Sequence, residues 1–182
     1  MRKTRELPLE TALNLKSAHR FAADIGHPLN HLVTIHFGKI DGDIDARRRW
    51  AQIQERARHW FSRRGLPLVS IWAHECSRHI KQHTHILIHL PRGTVAAFER
   101  MLPRWIGGTL QPGAIDVRQA DGNALGYILK DAPHLHHHEL GIHPRHSRKQ
   151  SDRPIIGKRA GTSQNIGPAA RARASVQVAV AA

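Results

Sequence analysis

Apolar residues recur along this chain with two different periods, which predict a mixture of strands and helices. Short apolar segments rich in β-branched residues predict four strands, at His31–Phe37, Pro67–Glu75, Gln82–Leu90 and Leu110–Arg118. Apolar residues three and four positions apart predict four helices: Leu9–Asp24, Asp45–Arg64, one that begins at Thr94 and is cut short or bent near Pro103, and Gly122–Asp131.

The order of these elements predicts the fold class. After the leading helix the order is β-α-β-β-α-β-α, with a hairpin between the second and third strands. This order is typical of an α+β fold of the split β-α-β type (ferredoxin- or RRM-like), an antiparallel sheet with its helices on one face. The first and third predicted strands are central in such a sheet.

Composition divides the chain into three segments. Residues 1–28 form a basic, helical extension, and 29–132 form the domain that carries the predicted sheet. From Pro133 onward the chain is first rich in histidine and then polar, basic and rich in glycine and alanine. Residues 133–182 are therefore expected to form a flexible basic arm. Its histidines could bind a metal, but a solvated tract is the favoured interpretation.

Charge indicates the class of partner. The 182 residues carry a formal net charge of +14, which indicates a polyanionic partner, most often nucleic acid, without distinguishing DNA from RNA. A single cysteine excludes a disulfide framework and fits a reducing cytoplasm. No apolar segment approaches 18 residues, so neither export nor a membrane-spanning helix is expected, and a cytoplasmic location is inferred.

A His-x-His pair on the third predicted strand is the main candidate for metal binding. His83 and His85 point to the same face, because side chains two apart on a strand do so. If residues 76–82 form a hairpin loop, Glu75 pairs with His83 and completes a three-ligand site for Mn²⁺ or Mg²⁺, with Zn²⁺ less favoured. His89, further along the strand, is a weaker alternative to Glu75. Two polar residues on a solvated face would give the same pattern.

The last predicted helix carries the only tyrosine of the chain. Asn123, Tyr127 and Lys130 lie at i, i+4 and i+7 and share a face. A phenol beside an ammonium group could serve phosphoryl transfer if a cation, base or metal assists the phenol. Each residue also has a structural interpretation: an aromatic side chain half-buried on an amphipathic helix, and a cation at a helix C-terminus.

Taken together, these motifs resemble the HUH endonuclease superfamily, which comprises rolling-circle replication initiators, relaxases and related single-strand transposases. The resemblance covers about residues 29–131. Its first motif is matched loosely by 32–37, its second by His83-Thr-His85 and its third by Tyr127-Ile-Leu-Lys130. The segments 82–91 and 155–171 are also similar to small bacterial and phage proteins grouped with replication initiators.

The resemblance implies a mechanism and a set of partners. His83 and His85, with Glu75 as third ligand, would bind a divalent metal. Tyr127 would attack a phosphate of single-stranded DNA at an origin or hairpin, giving a 5′-phosphotyrosine and a free 3′-hydroxyl, with Lys130 beside that phosphate. A plasmid or phage replication initiator of this type would borrow a host helicase, because the chain has no helicase motif. Further candidate contacts to nucleic acid are Arg78, Lys81, Asn123, Lys158 and Arg159.

The chain departs from the family pattern in two respects, and two other functions remain open. The residue between the histidines is normally bulky and hydrophobic, and here it is Thr84. A single tyrosine excludes a two-tyrosine mechanism. The alternatives are a nucleic-acid-binding regulator without catalytic activity on the same fold, and a metal-dependent nuclease in which water attacks the phosphate.

Overall fold

A computed structural model describes residues 3–41, 45–78, 81–147 and 151–181 of the chain. The strands in these residues are β1 (Lys3–Thr4), β2 (His31–His36), β3 (Ser70–Cys76), β4 (Gln82–Ile88), β5 (Ile115–Gln119), β6 (Ile155–Ile156) and β7 (Ala160–Thr162). The helices are α1 (Leu9–Asp24), α2 (Ala46–Ser62), α3 (Val95–Ile106), α4 (Ala124–Leu129), α5 (His137–Leu140), α6 (Pro144–Ser147) and α7 (Pro168–Ala181). In the described part of the chain, no helix is long and apolar enough to span a membrane.

The main sheet has five antiparallel strands in the order β5-β2-β4-β3-β7. The first four of these reproduce the strand order of a ferredoxin-like sheet, so the predicted α+β class is confirmed. The His-x-His pair lies on β4, the middle strand of the sheet, as the sequence predicted.

Helices cover both faces of this sheet, and the expectation that they lie on one face is wrong. Side chains alternate between faces along each strand. On one face, Val33 and Ile35 of β2 pack in a core with α2 and α3. On the other, Leu32 of β2 packs in a second core with α1 and α4. Both faces carry apolar residues, so each needs a helical cover.

Helix α3 continues through Pro103, where the sequence predicted an end or a bend. Proline removes one backbone hydrogen bond from a helix interior. Phe98, Leu102 and Trp105 of α3 are buried in the core shared with α2, and this packing offsets the loss. The helix ends at Gly107, whose φ of 66° suits glycine.

The chain does not divide at residues 28 and 132 as its composition suggested. The buried face of α1 belongs to the same core as the sheet and α4. Within the predicted arm, β7 pairs with β3, and β6 pairs with β1 to form a separate two-stranded sheet. Ile155, Ala160 and Ile166 are buried, and these few apolar residues anchor a segment that is polar on average.

A buried ion pair between Arg159 and Asp131 anchors the tail beside α4. The Arg159 guanidinium also donates a hydrogen bond of 2.8 Å to the backbone carbonyl of Thr4. Ser151 donates to both carboxylate oxygens of Asp131, at 2.7 and 2.6 Å. Arg159 is only 4% exposed, so its proposed contact with nucleic acid is corrected to a structural role.

Substitution Arg159→Ala should lower the free energy of unfolding by about 3–5 kcal/mol, because it leaves the buried Asp131 carboxylate without its charged partner. Chemical denaturation would measure the change. The matched control is Arg173→Ala, which removes the same charge from an exposed position on α7 and should leave stability nearly unchanged. Equal stability of the two variants would mean that the ion pair between Arg159 and Asp131 does not stabilise the fold.

Candidate active site

Strand pairing brings the predicted metal ligands together. Glu75 of β3 lies directly opposite His83 of β4, which confirms the pairing expected across the hairpin. The hairpin tip, residues 79 and 80, lies outside the described residues. On the other side of β4, Thr34 and His36 of β2 lie opposite His85 and His83. All five side chains therefore belong to the sheet face that carries α1 and α4.

One carboxylate oxygen of Glu75 lies close to both imidazole rings. Its Oε2 atom lies 3.0 Å from Nε2 of His83 and 3.3 Å from Nε2 of His85. These three residues are between 2% and 7% exposed. His85 Nε2 is fully buried and makes no hydrogen bond of acceptable geometry within the described residues. A buried polar atom in that situation is costly unless another group satisfies it.

The outer hydrogen bonds fix which nitrogen of each ring faces the centre. His83 Nδ1 donates to the backbone carbonyl of Lys81 at 3.2 Å, and His85 Nδ1 lies 2.9 Å from Thr34 Oγ1. His83 Nε2 lies within hydrogen-bond distance of Glu75 Oε2, so a proton or a cation can lie between them. In the tautomer that carries the proton on Nδ1 of each ring, both Nε2 lone pairs point toward the Glu75 carboxylate. Three electron-pair donors then face one another, which is favourable only with a cation or an extra proton between them. Outer-shell hydrogen bonds of this kind orient metal-bound histidines.

The residues Glu75, His83 and His85 could therefore bind a metal ion. Their donor atoms all lie within 4.8 Å of one another, and among the described residues no other group of three ligand-type side chains meets that condition. Two imidazoles and a carboxylate leave further coordination positions open, which is the arrangement of catalytic rather than structural sites. The predicted ligand set is thus brought together.

The protonation states also suit a cation. Burial alone would raise the pKa of Glu75, but the neighbouring His85 and Lys130 and the hydrogen bond from His83 hold that pKa well below its usual value. Burial lowers the pKa of His85 to about 4, although Glu75 opposes that change. At neutral pH the carboxylate is ionised and the His85 imidazole is neutral, and these are the forms that bind metals.

Helix α4 places Tyr127 and Lys130 against this cluster. The Tyr127 ring lies 4.7 Å from the His85 ring, measured between centroids. The Lys130 ammonium pairs with Oε1 of Glu75 and lies 3.9 Å from the centroid of the Tyr127 ring. Lys130 is 1% exposed, so this long side chain is held in one place. The two motifs that are far apart in sequence therefore meet in one site.

The phenol of Tyr127 is held in its neutral form. Burial and the negative charge of Glu75 raise its pKa to about 12. The unperturbed value is about 10. A nucleophilic role would require a positive charge in addition to that of Lys130, near Glu75 or the phenol oxygen, that offsets this shift.

The other predicted residues occupy different environments. Asn123 lines a cavity together with Tyr127. Arg78 and Lys81 flank the hairpin tip and are exposed, and the Arg78 side chain lies 3.9 Å from the Asp152 carboxylate. Lys158 is exposed beside Trp72, on the opposite face of the sheet from the site. His89 Nδ1 donates to the backbone carbonyl of Pro28, so this weaker ligand candidate is engaged elsewhere.

Four residues near the site were missed from the sequence. Thr34 supports His85, and the His36 ring lies 5.3 Å from that of His83. Both lie at alternate positions on β2, a pattern that the strand prediction contained. Arg145 and His146 belong to the histidine-rich tract that was assigned to solvent, yet the His146 ring lies 5.3 Å from that of Tyr127. Only the tertiary fold could place them there.

The fold and the site together define an α+β domain with a buried Glu-His-His cluster beside a tyrosine. Comparison of the chain with family models, with curated proteins and with solved structures finds no match.

A divalent cation should raise the melting temperature of the wild-type protein. A ligand that binds only the folded state stabilises it by about 2.7 kcal/mol when present at a hundred times its dissociation constant. The double variant His83→Ala/His85→Ala should lose this shift and the heat of binding in calorimetric titration, whereas His89→Ala should retain both. An equal shift in the double variant would place the bound cation elsewhere.

Tyr127 should titrate near pH 12 in the folded protein and near pH 10 in denaturant. Since the chain has one tyrosine, the ultraviolet absorbance of the phenolate reports on this residue alone. The raised pKa means that the fold favours the neutral phenol, so this stabilisation is present below pH 10 and is lost as the pH rises toward 12. Circular dichroism would confirm that the chain stays folded. A divalent cation should lower the midpoint, because it offsets the charge of Glu75.

Proposed function

We propose that this protein is a metal-dependent, single-stranded DNA nickase and strand transferase that uses Tyr127 as its nucleophile. The observation that carries the proposal is the convergence of Tyr127 and Lys130 on the Glu75-His83-His85 cluster. The three ligand residues come from a hairpin and the other two from a helix some forty residues later. Lys130 is also the charged partner of the buried Glu75 carboxylate, so the position of Tyr127 beside His85 is the more specific part of this observation.

The proposed reaction is one transesterification. The Tyr127 oxygen attacks a backbone phosphorus and forms a P–O bond while the bond from phosphorus to the 3′ oxygen breaks. The phenol gives up its proton, and the leaving oxygen takes one to become a 3′-hydroxyl. The DNA is left joined to Tyr127 through its 5′ phosphate. With one tyrosine in the chain, a DNA hydroxyl or water must resolve this intermediate.

Each residue has a part that follows from its position. Glu75, His83 and His85 would hold Mn²⁺ or Mg²⁺, with Zn²⁺ less favoured because no thiolate is present. Such an ion would supply a Lewis acid for the non-bridging phosphate oxygens. The Lys130 ammonium lies against both the Glu75 carboxylate and the Tyr127 ring. Its charge would offset the negative charge that develops at the phosphate and the phenol oxygen.

The biological setting follows from the resemblance to HUH endonucleases. Rolling-circle replication or mobilisation of a plasmid or phage would use a nick of this kind. The net charge of +14 supports a nucleic-acid partner, and binding should weaken as salt is raised, because phosphate contacts release counterions. In replication a host helicase would have to separate the strands.

A water-using nuclease is the second candidate. The raised pKa of Tyr127 supports it, because a neutral phenol is a poor nucleophile. In that reaction a water molecule would attack the phosphate, and Tyr127 would only position the substrate. A regulator without catalytic activity would bind the same strands and cleave none.

The deciding experiment mixes the protein with an end-labelled pool of random-sequence single-stranded DNA and Mn²⁺ or Mg²⁺, followed by a denaturing gel. Wild type should give a slower band that survives denaturation and disappears with protease. Chelator and Tyr127→Phe should abolish it. His89→Ala, which alters a histidine outside the cluster, should cleave like wild type.

Other outcomes contradict the proposal in distinct ways. Cleavage without an adduct, equal in wild type and Tyr127→Phe, would identify a nuclease that uses water. Binding without cleavage of any strand of the pool, with either metal, would identify the regulator.

A further inference from the structure

A cavity of about 450 Å³ opens beside Tyr127. This volume falls in the range of small-ligand sites, about 300–1,000 Å³. Its lining is mainly polar and comes from β5, α4, α6 and the segment between β5 and α4. The apolar exceptions are Leu32 of β2 and Ala124 of α4. A ligand in the cavity would therefore lie next to the proposed nucleophile.

The tail supplies one wall of this cavity. Arg145 and His146 lie on α6, and His146 is 6% exposed. The His146 ring contacts that of Tyr127 edge to face, with 5.3 Å between centroids. Arg145 Nε donates a hydrogen bond of 3.1 Å to His146 Nε2. The Arg145 side chain is thus tied to the residue that touches Tyr127.

Another contact holds the tail against α4. A Cβ atom added to Gly126 would lie 2.9 Å from the backbone carbonyl oxygen of Gly141. Only glycine allows this close approach, because any side chain would push the two segments apart. Gly126 directly precedes Tyr127, so the position of the tyrosine is coupled to that of the tail.

The charges in the cavity favour an anionic ligand. Arg118 and Arg145 line it, together with the single carboxylate of Asp121. Oδ1 of Asp121 already accepts a hydrogen bond from the backbone of Asn123. Arg118 lies 3.9 Å from the Asp116 carboxylate, whereas no carboxylate in the described part of the chain lies within ion-pair distance of Arg145. Arg145 is therefore the better placed of the two for a ligand.

The polar groups also suit a nucleobase. The side-chain amides of Gln119 and Asn123 line the cavity and can donate and accept hydrogen bonds. An arginine guanidinium can stack on a base or bind its edge with two hydrogen bonds. A base that is not paired with a second strand exposes the edge that such groups bind.

We infer that this cavity binds one unpaired nucleotide adjacent to the phosphate that Tyr127 attacks, and that Arg145 determines which base is accepted. The inference rests on the proposed function for the identity of the ligand as DNA. In this arrangement the tail, through Arg145, helps to determine where the DNA is nicked. The cluster on the sheet would act on the phosphate, and the cavity would select the neighbouring base.

The test measures binding, so that it does not depend on cleavage. Single strands are selected from a random pool by their affinity for the Tyr127→Phe protein, and each nucleotide of a selected strand is replaced in turn by an abasic one. Fluorescence anisotropy gives the dissociation constants. At one position the abasic replacement should weaken binding on the order of tenfold, as expected for loss of one bound base.

Arg145→Ala, made in the same Tyr127→Phe protein, should nearly abolish that difference between normal and abasic strands. Arg145→Lys should keep most of the affinity but lose the preference for one base, because lysine retains the charge without the planar guanidinium. The matched control is Arg173→Ala, which should keep the full abasic effect. An abasic effect of equal size in Arg145→Ala and Arg173→Ala would overturn the inference.

The two proposals fail separately. If the wild type forms the covalent adduct but Arg145→Ala still distinguishes normal from abasic strands, the assignment of the cavity is wrong and the proposed nickase activity is supported. If no strand is cleaved but the difference in affinity between normal and abasic strands depends on Arg145, the cavity binds a nucleotide and the proposed nickase activity is wrong.

Discussion

The burial of the Glu75 carboxylate is the constraint on which the site depends. An ionised carboxylate at 3% exposure is tolerated only when charged or hydrogen-bonded partners replace the lost water. Lys130 and His83 provide these partners, and they come from α4 and β4. One side chain therefore links the register of the central hairpin to the position of the helix that carries Tyr127.

The two faces of the sheet have different roles: one carries a core rich in aromatic residues, and the other carries the Glu75-His83-His85 cluster. Along β4, Ile86 and Ile88 pack against α2 and α3 in a core rich in aromatic residues. His83 and His85 alternate with them and belong to the opposite face. The cluster can thus hold polar and charged groups at the middle of the sheet, because the face behind it is packed independently.

Local patterns were sufficient for part of this arrangement. The His-x-His spacing and a glutamate eight residues earlier define a face and a register through strand geometry alone, and the structure reproduces both. The covering of both faces was missed, although Ile71, Trp72 and Ala73 form an unbroken apolar run, which is typical of a strand buried on both sides. The approach of Tyr127 to His85 depends on packing between distant segments, which residue spacing does not encode.

Average composition misled the prediction for the tail. Most residues after Pro133 are polar or small, and this average predicts disorder. A few buried residues at separate positions, among them Ile155, Arg159 and Ile166, determine where the segment packs. Charged side chains are rarely buried unless they are paired. Arg159 can lie in the interior because it pairs with Asp131.

The junction of Asp131 with the tail has a consequence for the order in which the protein acquires its site. Asp131 directly follows Lys130 and is bound by Arg159 and Ser151, both of which leave the ribosome later. Until those residues emerge, Asp131 lacks its hydrogen bonds to the tail, and β3 lacks the neighbouring strand β7 that extends the sheet. A chain released early would contain every residue of the cluster and yet lack the contacts that hold Lys130 and Tyr127 against it. Synthesis of the segment that holds Ser151 and Arg159 thus becomes a structural condition for assembly of the site.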